Sequence, residues 1–261
     1  NPFLLSDIGF IYSFVTTFGL VYYANLISKH KIMGTSLVAT LFSMPITVNH
    51  FFKLNLLSPF FNILFVPFVS LIVYPLCILT FLFRFLSPFL RMSIFFLEAV
   101  NRILASIDFL YLVVPKMHLV IIVLYYSILL FGLKKRFYGG ALLLIVFVLM
   151  NKIKPCLDGH YYVEFLDVGQ GDSALIRTPH GKEVILVDTG GVESFGTNSS
   201  PYHVSEKTVV YLNSLGIDKV DVMILTHGDY DHMGEAIYLV ENIKVEQVLL
   251  NCGEHDELEQ E

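Results

Sequence analysis

The chain has 261 residues, 55% of them hydrophobic and 15% charged, with a mean hydropathy of +0.66. Residues 1–155 carry twelve Lys and Arg against three Asp and Glu, a balance of +9, and residues 156–261 carry five against twenty, a balance of −15. This asymmetry excludes a uniform chain and predicts two domains in different environments, 1–155 and 156–261. It also leaves the acidic half without a basic footprint for nucleic acid, so a polyanion there would have to be met through bound metal or through parts outside this chain.

The chain opens on Asn1-Pro2, with no initiator Met or signal-peptide pattern, and it is expected to be a piece of a longer protein. Residues 8–28 hold 21 uncharged positions in a row, which would span about 31 Å as a helix. Residues 32–52 are also uncharged but contain Pro45, Asn49 and His50, which predicts a broken or re-entrant helix. Residues 54–83 are uncharged with prolines at 59, 67 and 75. Such prolines are tolerated in a membrane where neighbouring helices or a wet cavity satisfy the freed backbone groups. In 86–112, Ser87, Arg91, Glu98, Arg102 and Ser106 put one polar stripe on an apolar helix. It fits a helix in the headgroup layer or one lining a polar path. Residues 117–133 and 137–151 read as a helical hairpin turning at Lys134-Lys135-Arg136. That basic turn predicts a cytoplasmic side, with the acidic domain delivered outside, although Lys152 and Lys154 argue the other way.

From Tyr161 the pattern changes. Tyr161–Val168, Ser173–Thr178 and Glu183–Val187 are rich in strand formers and punctuated by Gly169, Gly171, Pro179 and Gly181, an antiparallel start. His203–Leu215 reads as a helix closed by Gly216, Asp221–Leu225 as a strand, Met233–Asn242 as a helix and Gln247–Leu250 as a strand. Together they predict an α/β layered domain. Cys77 sits in an apolar run; Cys156 and Cys252 flank the acidic domain and would pair only in an oxidising compartment. His180-Gly181 reads as a hairpin turn, His50 and His118 as interfacial, His203 and His255 as solvated.

The chemistry is concentrated in Thr226-His227-Gly228-Asp229-Tyr230-Asp231-His232-Met233-Gly234, just after the apolar run Val222–Leu225. Imidazoles and carboxylates this dense at a strand end form a metal-ligand set. Two metals about 3.5–4 Å apart would clamp the attacking and leaving oxygens of a phosphoryl transfer.

Thr226–Gly234 resembles the core signature of the metallo-β-lactamase superfamily, His-x-His-x-Asp-His, with Asp229 where that signature has its second His. Leu166–Ser173 and Val187-Asp188-Thr189-Gly190-Gly191, together with Asp229, resemble the ComEC-type competence proteins more narrowly. Asp7–Phe14, Phe42–Phe51 and Asn62–Pro67 are similar to membrane segments of that family. The resemblance implies a polytopic α-helical membrane domain followed by part of an αββα metallo-β-lactamase-type domain, in the bacterial cytoplasmic membrane with the hydrolase part outside. It implies DNA uptake in transformation: a single strand through the membrane domain, and a metal-dependent nuclease that degrades the other strand of a duplex.

Carried over by position, His227 and Asp229 would bind one divalent metal, and Asp231 and His232 the other, as Mn²⁺, Zn²⁺ or Mg²⁺. Asp231 would also hold the attacking water, and Asp188 would orient the site. Gln170 and Asp172, in a Gly-rich turn, would sit beside it as substrate contacts. The superfamily's later His and bridging Asp have no match in this chain. Implied partners are DNA, membrane lipid, other competence uptake proteins and further copies of the chain. A silent hydrolase domain on a DNA channel, and a tethered metallo-hydrolase of another substrate such as a small phosphodiester or a lactam, stand as rival readings. Asp229 disfavours the lactam, because a carboxylate makes a harder site than imidazole alone.

Overall fold

The computed structural model describes residues 6–27, 31–55, 57–107, 110–132, 145–146, 148–191 and 203–251. The basic turn at 134–136, Cys252 and His255 lie outside the described residues. Contacts divide the chain into two compact units, Asn1–Leu112 and Val113–Glu261.

In the first unit, Asp7 caps helix α1 (Ile8–Tyr22), its carboxylate accepting from the Phe10 N–H at 2.7 Å. The helix ends at Tyr23 and resumes as the short α2 (Ala24–Ile27), so the 21-residue uncharged run is two helices rather than one. Gly19 lets α1 close onto α3 (Lys31–Phe51): a Cβ there would lie 2.4 Å from the Phe42 ring. The expectation of a break in 32–52 is corrected. Helix α3 runs through Pro45, which removes one N–H from the ladder, while buried Leu41, Phe42, Met44 and Val48 hold both sides of that position.

Strand β1 (Lys53–Asn55) follows and forms a two-stranded sheet with β2 (Tyr111–Val113). Residues 58–82 are one long helix in three parts: α4 (Ser58–Phe68), a π-helical turn (Val69–Val73) and α5 (Tyr74–Leu82). Pro59 and Pro75 stand in the first turns of α4 and α5, and Pro67 lies inside α4. The wider π turn, closed by the Tyr74 N–H on the Val69 carbonyl, carries the chain past them without a break. Helix α6 (Ser87–Ala105) exposes Arg91, Glu98 and Arg102.

Among the described residues, two helices are long and apolar enough to cross a membrane: Ile32–Phe51, with 20 residues, and Ser58–Leu82, with 25. Ile8–Tyr22 and Leu119–Phe131 are shorter apolar helices. Large side chains along the second span, such as Leu71 and Phe81, are exposed, as a lipid-facing helix requires.

The second unit begins with helix α7 (Leu119–Ser127), which runs on through a π turn (Ile128–Gly132). Residues 113–118 and 151–152 are bonded to one another and to residues of the sheet-bearing part. The Lys116 N–H donates to the Ser214 carbonyl at 2.9 Å, the Asn151 amide donates to the Pro115 carbonyl at 2.9 Å, and Lys152 pairs with Asp218 at 2.8 Å. Gly216, at φ +83°, leaves only ring atoms of Pro115 against its Cα side.

The sheet has five strands in the order β3 (Tyr162–Phe165), β4 (Ala174–Arg177), β5 (Val184–Val187), β6 (Lys219–Ile224) and β7 (Lys244–Leu249). The first three are antiparallel, as the sequence predicts; β5, β6 and β7 are parallel. Helix α8 (Ser205–Ser214) makes the crossover from β5 to β6. The predicted helix 233–242 is two: α9 (Tyr230–Met233) and α10 (Ala236–Asn242). The break is at Gly234, whose bare Cα lets the Tyr230 carbonyl approach: a Cβ would stand 2.5 Å from it.

Leu175, Leu186, Val220 and Met223 of the sheet pack with Leu212 and Leu239 from α8 and α10 into a single core. Each of these side chains stabilises the fold by about 1.5–3 kcal/mol through burial. On β3, Val163 and Phe165 are exposed, so this strand presents an uncovered apolar edge. The described residues of 156–261 form this one sheet; the two-sheet sandwich implied by the resemblance is not made by them alone.

Candidate metal centre

Parallel pairing of β5 with β6 brings two strand ends to one edge: Asp188 follows β5, and Thr226 and His227 follow β6. Loops at the carboxyl ends of parallel strands are where α/β sheets place ligands. The Asp188 N–H still donates to the Ile224 carbonyl, at 2.8 Å, so its backbone is held by the neighbouring strand. Its φ of +55° is unusual for a residue with a Cβ and costs on the order of 1 kcal/mol, which the surroundings must offset.

The Asp188 carboxylate is buried and accepts three hydrogen bonds. Its Oδ1 takes the Thr226 N–H at 2.8 Å; its Oδ2 takes the Thr226 hydroxyl at 2.8 Å and Nδ1 of His232 at 3.1 Å. Because the Thr226 proton points at Asp188, the Thr226 oxygen is left to accept from His227 Nδ1, 2.9 Å away. Both imidazoles are therefore held through Nδ1–H and turn Nε2, as a lone pair, into the site. The two rings lie 3.8 Å apart between centroids.

Each Nε2 has a carboxylate near it: Asp229 Oδ2 is 3.5 Å from His227, and Asp231 Oδ2 is 3.7 Å from His232. Asp229 is well exposed, Asp231 and His227 are half-exposed, and His232 is largely buried. Two imidazole nitrogens and two carboxylates facing one opening are a donor set that fits divalent cations of intermediate hardness. Among the described residues, no group of three or more His, Cys, Asp or Glu is gathered closely enough to hold a metal ion. The donors stand as two pairs, open on the solvent side.

The Gly-rich turn lies against this loop through its backbone. Gly171, at φ +90°, touches the Asp231 carbonyl so closely that a Cβ would fall 1.7 Å from the oxygen. The Gly191 N–H donates to the Gln170 carbonyl at 3.4 Å, and the Ser173 hydroxyl donates to the Asp188 carbonyl at 2.9 Å. The side chains of Gln170 and Asp172 are exposed. The turn thus supports the metal loop as a strut; its backbone, more than its side chains, does the positioning.

Sequence reasoning missed Thr226 as a site residue, although it links Asp188, which holds His232 directly, to His227. The available signal was a hydroxyl residue directly before the first His at a strand end. His203, expected to be solvated, is exposed, and it also bonds Glu235 at 3.2 Å and stacks on Tyr238 at 4.3 Å. At the far edge of the sheet, the Tyr162 hydroxyl and His160 hydrogen-bond Asp158 and hold its carboxyl down to about 2. His180, in the β4–β5 turn, adopts φ +64°, as a hairpin-turn residue.

Comparison with known proteins agrees with both parts of the chain. Residues 1–137 match the competence protein family, and residues 166–250 match the metallo-beta-lactamase superfamily. ComE operon protein 3 of Bacillus subtilis (strain 168) is 30% identical over 281 aligned residues, covering 97% of this chain and 36% of the relative. Competence protein ComA of Neisseria gonorrhoeae is 29% identical over 189, covering 70% of this chain and 26% of the relative. The chain thus spans between about a quarter and about a third of the length of the curated relatives it matches. No solved structure matches it. With more than half of its length matched to one family, and a metallo-beta-lactamase segment following on the same chain, the protein belongs to the competence protein family, of the ComEC type.

Proposed function

We propose that the protein takes part in DNA uptake: its helical part forms, with further multi-pass segments, a path for one strand across the bacterial cytoplasmic membrane, and its sheet domain cleaves the other. The observation that carries the hydrolytic half is the pair of imidazoles with both Nδ1 atoms tied and both Nε2 atoms open beside carboxylates. A structural histidine would not need its second nitrogen presented in this way. Support for the transport half comes from the competence family match over 1–137 and the two helices of spanning length.

In this reading, His227 and Asp229 hold one divalent ion, and Asp231 and His232 the other; Mn²⁺, Mg²⁺ and Zn²⁺ all suit such donors. Bound cations supply an acidified water and offset the charge of a scissile phosphate. The protein's own residues do the rest. Asp188 keeps His232 in the tautomer that offers Nε2, and Thr226 does the same for His227. Half-exposed Asp231 is placed to accept a proton from an attacking water. The −15 balance of residues 156–261 would repel a phosphodiester from a cation-free site, so strand binding there depends on charge supplied to these four side chains.

The test is the full-length protein assayed with and without Mn²⁺, beside transformation of cells lacking their own copy. Manganese-dependent DNA cleavage together with restored transformation supports the proposal. Restored transformation by a protein that cleaves nothing under any metal would leave a channel with a silent domain. The outward orientation is tested separately: a reporter fused after Cys156 should behave as exported, and cytoplasmic activity would reverse it.

A further inference from the structure

The first unit contains a cavity of about 320 Å³ that neither the metal centre nor the apolar spans require. Its wall draws on three helices and β1: Tyr12 and Thr16 from α1; Thr40, Ser43 and Thr47 from α3; Ser58 and Asn62 from α4; and Asn55 from β1. Eight of the eleven lining residues thus carry a hydroxyl or an amide, and none carries a charge. The helical ones recur at intervals of three or four, so each helix turns a polar strip to the same space. A polar strip on an apolar helix is costly in hydrocarbon unless it is covered or wet. Here three strips converge.

The hydrogen bonds set the character of the wall. Thr40 donates to the Ser36 carbonyl at 2.9 Å, Thr47 to the Ser43 carbonyl at 3.0 Å and Ser43 to the Thr40 carbonyl at 3.3 Å; Thr16 donates to the Tyr12 carbonyl. With the Thr47 proton spent on its own helix, the Tyr12 hydroxyl donates to Thr47 at 2.7 Å. The hydroxyl protons of Tyr12, Thr16, Thr40, Ser43 and Thr47 are thus used within the wall, which leaves their oxygens as acceptors. The Asn55 carbonyl accepts from the Leu57 N–H at 2.9 Å, which leaves its amide protons as donors. A wall of neutral acceptors with a few amides can take the N–H groups of base edges or of water. It offers no cation to hold a phosphate, so it binds without trapping a polyanion, as a conducting site must.

Resting on the DNA-uptake reading above, we propose that this uncharged cavity is a hydrated waypoint of the transported strand, meeting its bases and sugars while the phosphates stay in water. Ser43, at the centre of the α3 strip, is the residue to probe. In the full-length protein with its natural cysteines replaced by serine, Ser43→Cys should react with a membrane-impermeant methanethiosulfonate, whereas Phe14→Cys, on an exposed apolar face, should not. Reaction at position 43 should slow at least fivefold while linear DNA is being taken up. In transformation assays at equal protein level, Ser43→Asn should stay within threefold of wild type and Ser43→Asp should fall more than tenfold, because a fixed negative charge repels the strand. An inert Ser43→Cys, a labelling rate indifferent to DNA, or an Ser43→Asp variant equal to wild type would each overturn the waypoint while wild-type uptake stands. If the wild-type protein restored no uptake, the DNA reading itself would fall, whatever the labelling.

Discussion

Thr47 and Thr226 carry the same hydroxyl into two regions and do different things with it. Thr47 returns its proton to the backbone of its own helix and leaves a neutral oxygen at a cavity wall. Thr226 gives its proton to a buried carboxylate and uses its oxygen to hold an imidazole. The helical region is short of charge: Thr16, Thr40, Ser43 and Thr47 return their protons to carbonyls within a turn and keep their oxygens as acceptors at a shared space. The sheet region has charge in excess, so its hydroxyl acts between side chains and fixes the direction of ring nitrogens. The first arrangement suits passage and the second suits chemistry.

That contrast can be broken most severely at Asp188. Asp188→Ala leaves the Thr226 N–H and His232 Nδ1 without their acceptor. It should lower metal-dependent cleavage 10–100-fold and destabilise the sheet domain by about 1–3 kcal/mol, read by nuclease assay and thermal denaturation of the full-length protein. Gly171→Ala comes next: the added Cβ meets the Asp231 carbonyl at a positive φ. A melting shift of several degrees, with reduced cleavage, is expected; an unchanged melting point would show that the turn does not brace the loop. Thr226→Val should weaken metal binding about tenfold, while Thr226→Ser, which keeps the hydroxyl, should restore it. Asp229→His should move metal preference toward zinc, as measured by competition between Zn²⁺ and Mn²⁺, and an unaltered preference would remove Asp229 from the ligand set.

The smallest effect lies at the far edge of the sheet. Asp158, held down to about 2 in the folded protein, contributes stability that is present above the ordinary carboxylate range. That contribution is lost as pH falls from about 4 toward 2. Asp158→Asn should flatten the acid limb of a stability-versus-pH curve in that window and leave neutral pH behaviour nearly unchanged.

Much of this was legible locally. Runs of strand formers placed β4 and β5 within a residue and β3 within three, and His227, Asp229, Asp231 and His232 stood out by density alone. What was not legible depended on distance in sequence. Thr226 meets Asp188 across 38 residues, and only the parallel β5–β6 register brings them together. The continuity of α3 through Pro45 depends on buried neighbours that no local rule for proline includes. Nothing in the local pattern joins the segment before the predicted hairpin to the sheet-bearing part, yet Lys116 is bonded to Ser214 and Pro115 to Asn151. The polar strips of α1, α3 and α4 were each present in the sequence, but their convergence on one cavity was not.

The central claim is that the two imidazole–carboxylate pairs form a working hydrolytic centre, and Asp231 tests it most directly. In the full-length protein with Mn²⁺, Asp231→Ala should abolish DNA cleavage while membrane insertion, measured by fractionation, stays at the wild-type level. Wild-type cleavage by a properly inserted Asp231→Ala protein would contradict the assignment.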